Sequence, residues 1–245
     1  MKKYGIENRI WKVIFKYFKE VKYLHTSNEY MLRRFFEAIW YVARGGISWR
    51  LLPRYYGNWN SVYKKFKNWC KKGIWERLLN YFLDPDLEYV MIDSTVVRAH
   101  SCAAGSSKQL LGRSAGGFTS KIHALVDALG NPLKFILTAG QRSDISQAQA
   151  LIAGIANSQI LADKAYDANQ FLNFLKLNNN IAVIPPKKNR KIYREYDQEL
   201  YKERHKIEIL FNKIKQYRRI SSRYDKNHNA YLGFIYFVAV LIWLK

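Results

Sequence analysis

HALVDALGNPLKFILTA, residues His123 to Ala139, reads as two extended segments joined by a tight turn. Val, Ile, Leu and Phe fill both arms, and Gly130, Asn131 and Pro132 are residue types that reverse a chain. Upstream, YVMID (Tyr89 to Asp93) is a short strand of the buried type. Downstream, QILAD (Gln159 to Asp163) and IAVIP (Ile181 to Pro185) are two more, separated by ANQFLNFLKLN, whose apolar residues recur at helical spacing. A helix capped by Asp144 follows the hairpin, and another runs from Asp197 to Tyr217. Three strands, a helix, and then strands alternating with helices specify an α/β fold whose mixed sheet is covered on both faces.

Outward from this block, residues 1–86 are helical and residues 87–245 form the sheet domain. Thr26 with Glu29 makes a capping-box pattern, and Met31, Leu32, Phe35, Ile39, Trp40 and Val42 follow at helical spacing until Gly45 and Gly46. ISWRLLP makes a short turn stopped by Pro53, and Asn60 or Ser61 caps the helix VYKKFKNWCKK. On that helix Val62, Tyr63, Phe66, Trp69 and Cys70 lie toward one side, with Lys64, Lys65, Lys67, Asn68, Lys71 and Lys72 around the rest. A helix, a short turn and a basic amphipathic helix resemble a helix-turn-helix, a pattern equally read as a basic solvated face on a small bundle. At the other end, Ala230 to Leu244 is a run of 15 residues without a charge. A membrane span needs about 20 apolar residues, so this run is expected to be a core helix covering the sheet, with no membrane association.

Lys and Arg number 41 against 19 Asp and Glu, a net charge of +22. An excess of that size repels itself in a compact state and points to a polyanionic partner, nucleic acid first. Two cysteines, Cys70 and Cys102, build no disulfide framework and suit a reducing cytoplasm.

Asp93 and Asp163 each end a short apolar strand, where ligands of α/β sheets gather. Two carboxylates there make a hard-oxygen site suited to Mg²⁺ or Mn²⁺, although an Asp after a strand also serves as a turn or helix cap. Tyr201, Arg204, Glu208 and Lys215 fall on one stripe of a helix, clear of the apolar stripe of Ile207, Leu210, Ile214 and Tyr217. That stripe presents a carboxylate among cations; its Arg204–Glu208 part also reads as an i,i+4 surface pair. Asp127, Asp144 and Asp167 read as turn and cap residues, Asp225 as a charge partner, and His100 and His123 as core or hydrogen-bonding groups.

The Tyr, Arg, Glu, Lys spacing, with ADKAYD around Asp163 and IDSTVVRAH around Asp93, resembles the transposases of bacterial insertion sequences in the group called insertion sequence family five. GRSAGGFTSKIHALVDALGNPL, VIPPKKNRK, YKERHKIEILFNKIKQYRRISSRYDK and GISWRLLPRYYGNWNSVYKKFKNW extend the resemblance over nearly the whole chain. The resemblance implies a ribonuclease H-like domain whose catalytic acids are Asp93, Asp163 and Glu208, holding Mg²⁺ or Mn²⁺ as a pair of ions. It implies that Tyr201, Arg204 and Lys215 hold the transposon end, and that a homodimer on DNA cleaves the ends and transfers them to target DNA. Lys64, Lys65, Lys67, Lys187, Lys188 and Arg190 are the expected phosphate contacts. Three alternatives stay open: a metal nuclease of the same fold, a DNA-binding copy without catalysis, and a membrane-surface protein that uses the final apolar helix and the basic excess. Ala165 stands where many members have Gly, which strains the turn if it needs positive φ, and the stretch from Ala104 to Gly112 is shorter than usual.

Overall fold

The structure, a computed structural model, describes residues 5–21, 28–103, 110–114, 117–191 and 193–245. The chain folds into two compact units, each discontinuous in sequence. The first contains Met1–Leu83, His100–Gly105 and Ile214–Lys245; the second contains Asp84–Ala99 and Ser106–Lys213.

In the first unit, α1 (Asn8–Glu20), α2 (Glu29–Gly45), α3 (Trp59–Lys71) and α4 (Ile74–Phe82) follow one another. The Asn28 side chain caps α2 by accepting from the Met31 N–H at 3.0 Å. Thr26 lies outside the described residues, and Glu29, expected to complete a capping box, accepts from the Trp11 indole at 2.9 Å. Asn58, not Asn60 or Ser61, caps α3, accepting from the backbone of both. Buried Val62, Phe66 and Trp69 confirm the apolar side assigned to that helix. Two short 3₁₀ turns, Trp49–Leu51 and Arg54–Tyr56, separate α2 from α3. The tight turn comes one helix later, between α3 and α4, where Gly73 has φ 64°.

The apolar C-terminal run, expected to cover the sheet, is a core helix of the first unit. As the last helix of the chain (His228–Trp243), it packs on α3 and α4. A helix apolar on every side carries no stripe to name its partner; here shape decides. A Cβ added at Gly233 would come within 2.4 Å of the Cys70 sulfur, so only Gly allows the approach. Phe234 then meets Phe66 with ring centroids 4.5 Å apart, and Phe237 meets Trp75 at 5.4 Å. No helix of the described residues is long and apolar enough to cross a membrane.

Near this helix the unit buries an ion pair. Arg219 donates to both carboxylate oxygens of Asp225, at 3.0 and 2.9 Å, and to the Ile47 carbonyl at 2.7 Å. Both residues are less than a tenth exposed, and Asp225 is a charge partner as the sequence indicates.

The second unit is built on β1 (Tyr89–Ala99), β2 (Gly112–Ser114), β3 (Gly117–Val126), β4 (Pro132–Ala139), β5 (Gln159–Leu161) and β6 (Ile181–Val183). β3 pairs antiparallel with β1 on one edge and with β2 and β4 on the other. β1 then pairs in parallel with β5, and β5 with β6. An antiparallel meander continued by parallel strands, with helices α5 (Ile145–Leu151) and α6 (Asn169–Leu177) between them, is the expected ribonuclease H-like sheet. The hairpin turn forms at Gly130, φ 84°, with the Asp127 carboxylate accepting from the Leu129 and Asn131 N–H groups.

One strand differs from its sequence reading. Asp93 does not end β1, because Ser94 to Arg98 continue the antiparallel pairing with β3. The β-branched residues Thr95, Val96 and Val97 favour that continuation. What stops near Asp93 is the parallel pairing with β5, last seen at Met91–Leu161. The helical stretch after Asp197 is likewise not uniform. Asp197 caps α7 (Gln198–Tyr201), a 3₁₀ turn covers Lys202–Arg204, and α8 runs His205–Lys215.

Removing one member of a buried ion pair leaves the other charge stranded, so Asp225→Asn is expected to cost about 3 to 5 kcal/mol of stability in urea unfolding. The double change Arg219→Met with Asp225→Leu is expected to lose much less.

Candidate catalytic site

The site grows from the point where β1 leaves its parallel neighbour. There the Asp93 carboxylate accepts from the Ser94 N–H at 2.7 Å and from Arg204 Nη1 at 2.8 Å. The other arm of the same guanidinium, Nη2, donates to Glu208 on α8 in a short charge-assisted bond. Asp163 follows β5, and its carboxylate accepts from the Ala165 N–H at 2.8 Å, capping the 3₁₀ turn Lys164–Tyr166. Burial raises the Asp93 pKa; the Ser94 N–H and Arg204 oppose this, while the charges of Asp163 and Asp144 add to it. The structure therefore brings Asp93 and Glu208 onto one guanidinium, with Asp163 close enough for its charge to be felt.

Tyr201 lies against that guanidinium, its ring centroid 5.9 Å from the Arg204 carbon. Burial raises the Tyr201 pKa. Ile207, Leu210 and Ile214 are buried, as their stripe predicts, which fixes the face of α8 that carries Glu208. Among the described residues, no three Asp, Glu, His or Cys side chains stand as a ready metal-binding group. Arg204 stands between two of the carboxylates.

The expected DNA contacts are placed unevenly. Lys64, Lys67, Lys187 and Lys188 are exposed. Lys65 instead lies over the Phe35 ring at 4.5 Å and the Trp69 ring at 5.3 Å, and burial lowers its pKa. Arg190 is committed to a fully buried partner, donating to the two oxygens of Asp167 at 2.7 and 2.6 Å. Lys215, at the end of α8, is partly buried, which lowers its pKa. Asp167, expected to cap a helix, is thus the anchor of the basic loop, holding the Lys187 N–H at 2.8 Å as well. Ala165 is not among the described residues with positive φ, so its turn does not need Gly. The stretch from Ala104 to Gln109 lies outside the described residues.

With this geometry in place, residues 84–243 match the model of the transposase DDE domain family. The chain belongs to that family. Its members cut and join DNA strands and generally use divalent metal ions. Residues 6–79 also match a model described as putative transposase of the IS4/5 family. A putative transposase for insertion sequence element IS6501 from Brucella ovis is 41% identical over 129 residues, 52% of this chain and 99% of that protein. An uncharacterized protein of Sinorhizobium fredii is 39% identical over 82 residues, 33% of this chain and 66% of its own length. A piggyBac transposase in a synaptic complex with hairpin DNA matches with a TM-score of 0.43 and 10% identity, over 77% of this chain and 50% of that one.

Around the acids of this transposase domain lies a layer that the sequence reading did not find. Asp144 precedes α5 but makes no side-chain cap. Its carboxylate accepts from the Ser94 hydroxyl at 2.6 Å and from Lys121 Nζ at 2.8 Å. Burial works against the charge on Asp144, but these hydrogen bonds outweigh it and hold the carboxyl below its ordinary pKa. A lysine inside an apolar strand was the available signal, since a buried ammonium needs an anion. Tyr166 is fully buried, its hydroxyl lacks a hydrogen-bond partner, and burial and then the charges of Asp93, Asp144 and Asp163 raise its pKa.

His123, opposite Ser94 on β3, is fully buried and bonds the Thr138 hydroxyl at 2.9 Å. Burial lowers its pKa from 6.5 to about 4. The unfolded chain therefore takes up a proton well before the folded one does. Stability is full above the unfolded pKa and falls as pH drops from about 6.5 toward about 4. The expected loss between pH 7 and pH 4.5 is about 2 to 3 kcal/mol from this residue. Urea titrations at the two pH values, run on the native chain and on His123→Gln, check it: the fall should shrink in the variant.

Proposed function

We propose that this chain binds the ends of an insertion sequence, cleaves them and joins them to target DNA, with Asp93, Asp163 and Glu208 as the catalytic acids. The observation that carries the reading is the convergence of Asp93 on β1 and Glu208 on α8 upon one cation, beside Asp163. Such convergence of acids otherwise costs repulsion and desolvation, and it suits a site built to hold positive charge.

The donor set fits Mg²⁺ or Mn²⁺. All three ligands are carboxylates, hard oxygen donors, and a cation already stands between two of them. Two such ions, when bound, activate the attacking oxygen and stabilise the leaving oxygen of an in-line phosphoryl transfer. The chain's own groups do the rest. Glu208, on a helix with its apolar face buried, reaches the sheet-borne acids from a second rigid element. Arg204 and Tyr201 offer a guanidinium fork and a ring to a phosphate and a sugar or base of the transposon end. Tyr166 keeps its proton, so its buried hydroxyl remains a donor facing the acids. Water attacks first; the freed 3′ hydroxyl then attacks the target strand, and no covalent protein intermediate is required.

Lys64 and Lys67 on α3 and Lys187 and Lys188 after β6 supply phosphate contacts that add affinity without reading sequence. The helices before Asp84 are assigned to recognition of the ends and the sheet domain to chemistry. Pairing two ends calls for a homodimer on DNA, working in the cytoplasm.

The metal contribution is worth several kcal/mol. Glu208→Gln is therefore expected to slow Mg²⁺-dependent cleavage of an end by about a hundredfold or more; unchanged cutting would refute the assignment. Pre-cut ends supplied with target plasmid should yield joined product, which a simple nuclease would not make. Lys64→Ala with Lys67→Ala is expected to weaken duplex binding and to lower the slope of log affinity against log salt by about 0.9 per lost contact.

A further inference from the structure

Arg204 occupies an unusual position for a residue expected to hold DNA. Its two terminal nitrogens are engaged by the two carboxylates, Asp93 and Glu208, that the function needs for metal. Its side chain is only 20% exposed, and that of Asp93 19%, whereas Glu208 is 53% exposed. A guanidinium does not deprotonate in proteins, so it leaves such a pair only by moving to another anion. A phosphate is the anion that matches its fork.

We propose that Arg204 is a latch on the metal site, neutralising Asp93 and Glu208 in the DNA-free chain and releasing them to metal when a phosphate of the DNA end takes its place as partner. This rests on the reading of Asp93, Asp163 and Glu208 as metal ligands. The Tyr201 ring, its centroid 5.9 Å from the same guanidinium, gives the planar group a neighbouring surface as it turns. Since the ion pair excludes metal and phosphate breaks the ion pair, metal and DNA each strengthen the binding of the other by the same factor. The consequence is a nuclease centre that stays unloaded until an end is seated.

The test measures Mn²⁺ binding by isothermal titration on the full chain, with and without a duplex of the sequence flanking its own coding region. In the native chain the duplex is expected to raise Mn²⁺ affinity roughly tenfold or more. In Arg204→Ala the DNA-free chain is expected to bind Mn²⁺ more tightly than the native chain does, and the gain on adding duplex is expected to shrink. Arg204→Lys separates a latch from simple charge: a lysine keeps the positive charge but lacks the fork that spans two carboxylates. It should resemble Arg204→Ala in the DNA-free chain. If Arg204→Lys instead matches the native chain, or if duplex leaves native Mn²⁺ affinity unchanged, the latch is overturned. Asp93→Asn and Glu208→Gln isolate the underlying reading: Mn²⁺ affinity undiminished in both overturns the metal site itself, whereas diminished affinity with no Arg204 effect overturns the latch alone. Circular dichroism of each variant confirms folding.

Discussion

Carboxylates gathered where the parallel and antiparallel parts of a hydrophobic sheet diverge repel one another and lose hydration, and this is the constraint around which the catalytic unit is organised. Asp93 is held on a strand buried by β3 on one side and β5 on the other, so its backbone cannot retreat. Glu208 is fixed by a helix whose Ile207, Leu210 and Ile214 are buried. The opposing charge comes from Arg204, four residues before Glu208, and a second cation, Lys121, serves Asp144 on the same sheet. The arrangement gathers negative charge and meets it with paired cations.

The basic residues divide by the same reasoning. Arg190 and Arg219 are tied to the buried carboxylates of Asp167 and Asp225 and shape their segments. Lys65 is spread over aromatic rings. Lys64, Lys67, Lys187 and Lys188 remain exposed, and these are the residues we propose to attract DNA in a chain of net charge +22.

Much of this was legible in the sequence because strand composition, the Gly130 turn and the apolar stripe of Ile207, Leu210 and Ile214 are local signals. The Arg204–Glu208 pairing was also local, being one helical turn. Asp93 lies on the expected strand, but that strand does not end there: Thr95, Val96 and Val97 continue as a pairing edge. Asp144 and Asp167 were legible only as caps, because the partners that turn their carboxylates inward, Lys121 and Arg190, lie about twenty residues away in sequence. The partner of the C-terminal helix was hidden for a related reason: uniform apolarity gives burial without direction, and the fit at Gly233 against Cys70 and Trp75 is a property of three segments together.

The central claim is that Asp93, Asp163 and Glu208 hold the divalent ions that act on DNA. Anomalous scattering from manganese in crystals of the chain bound to a duplex of its element's end tests this most directly. The account predicts manganese peaks within coordination distance of all three carboxylates, with the Arg204 guanidinium moved onto a phosphate. Peaks elsewhere on the chain, with those three carboxylates uncoordinated, would contradict it.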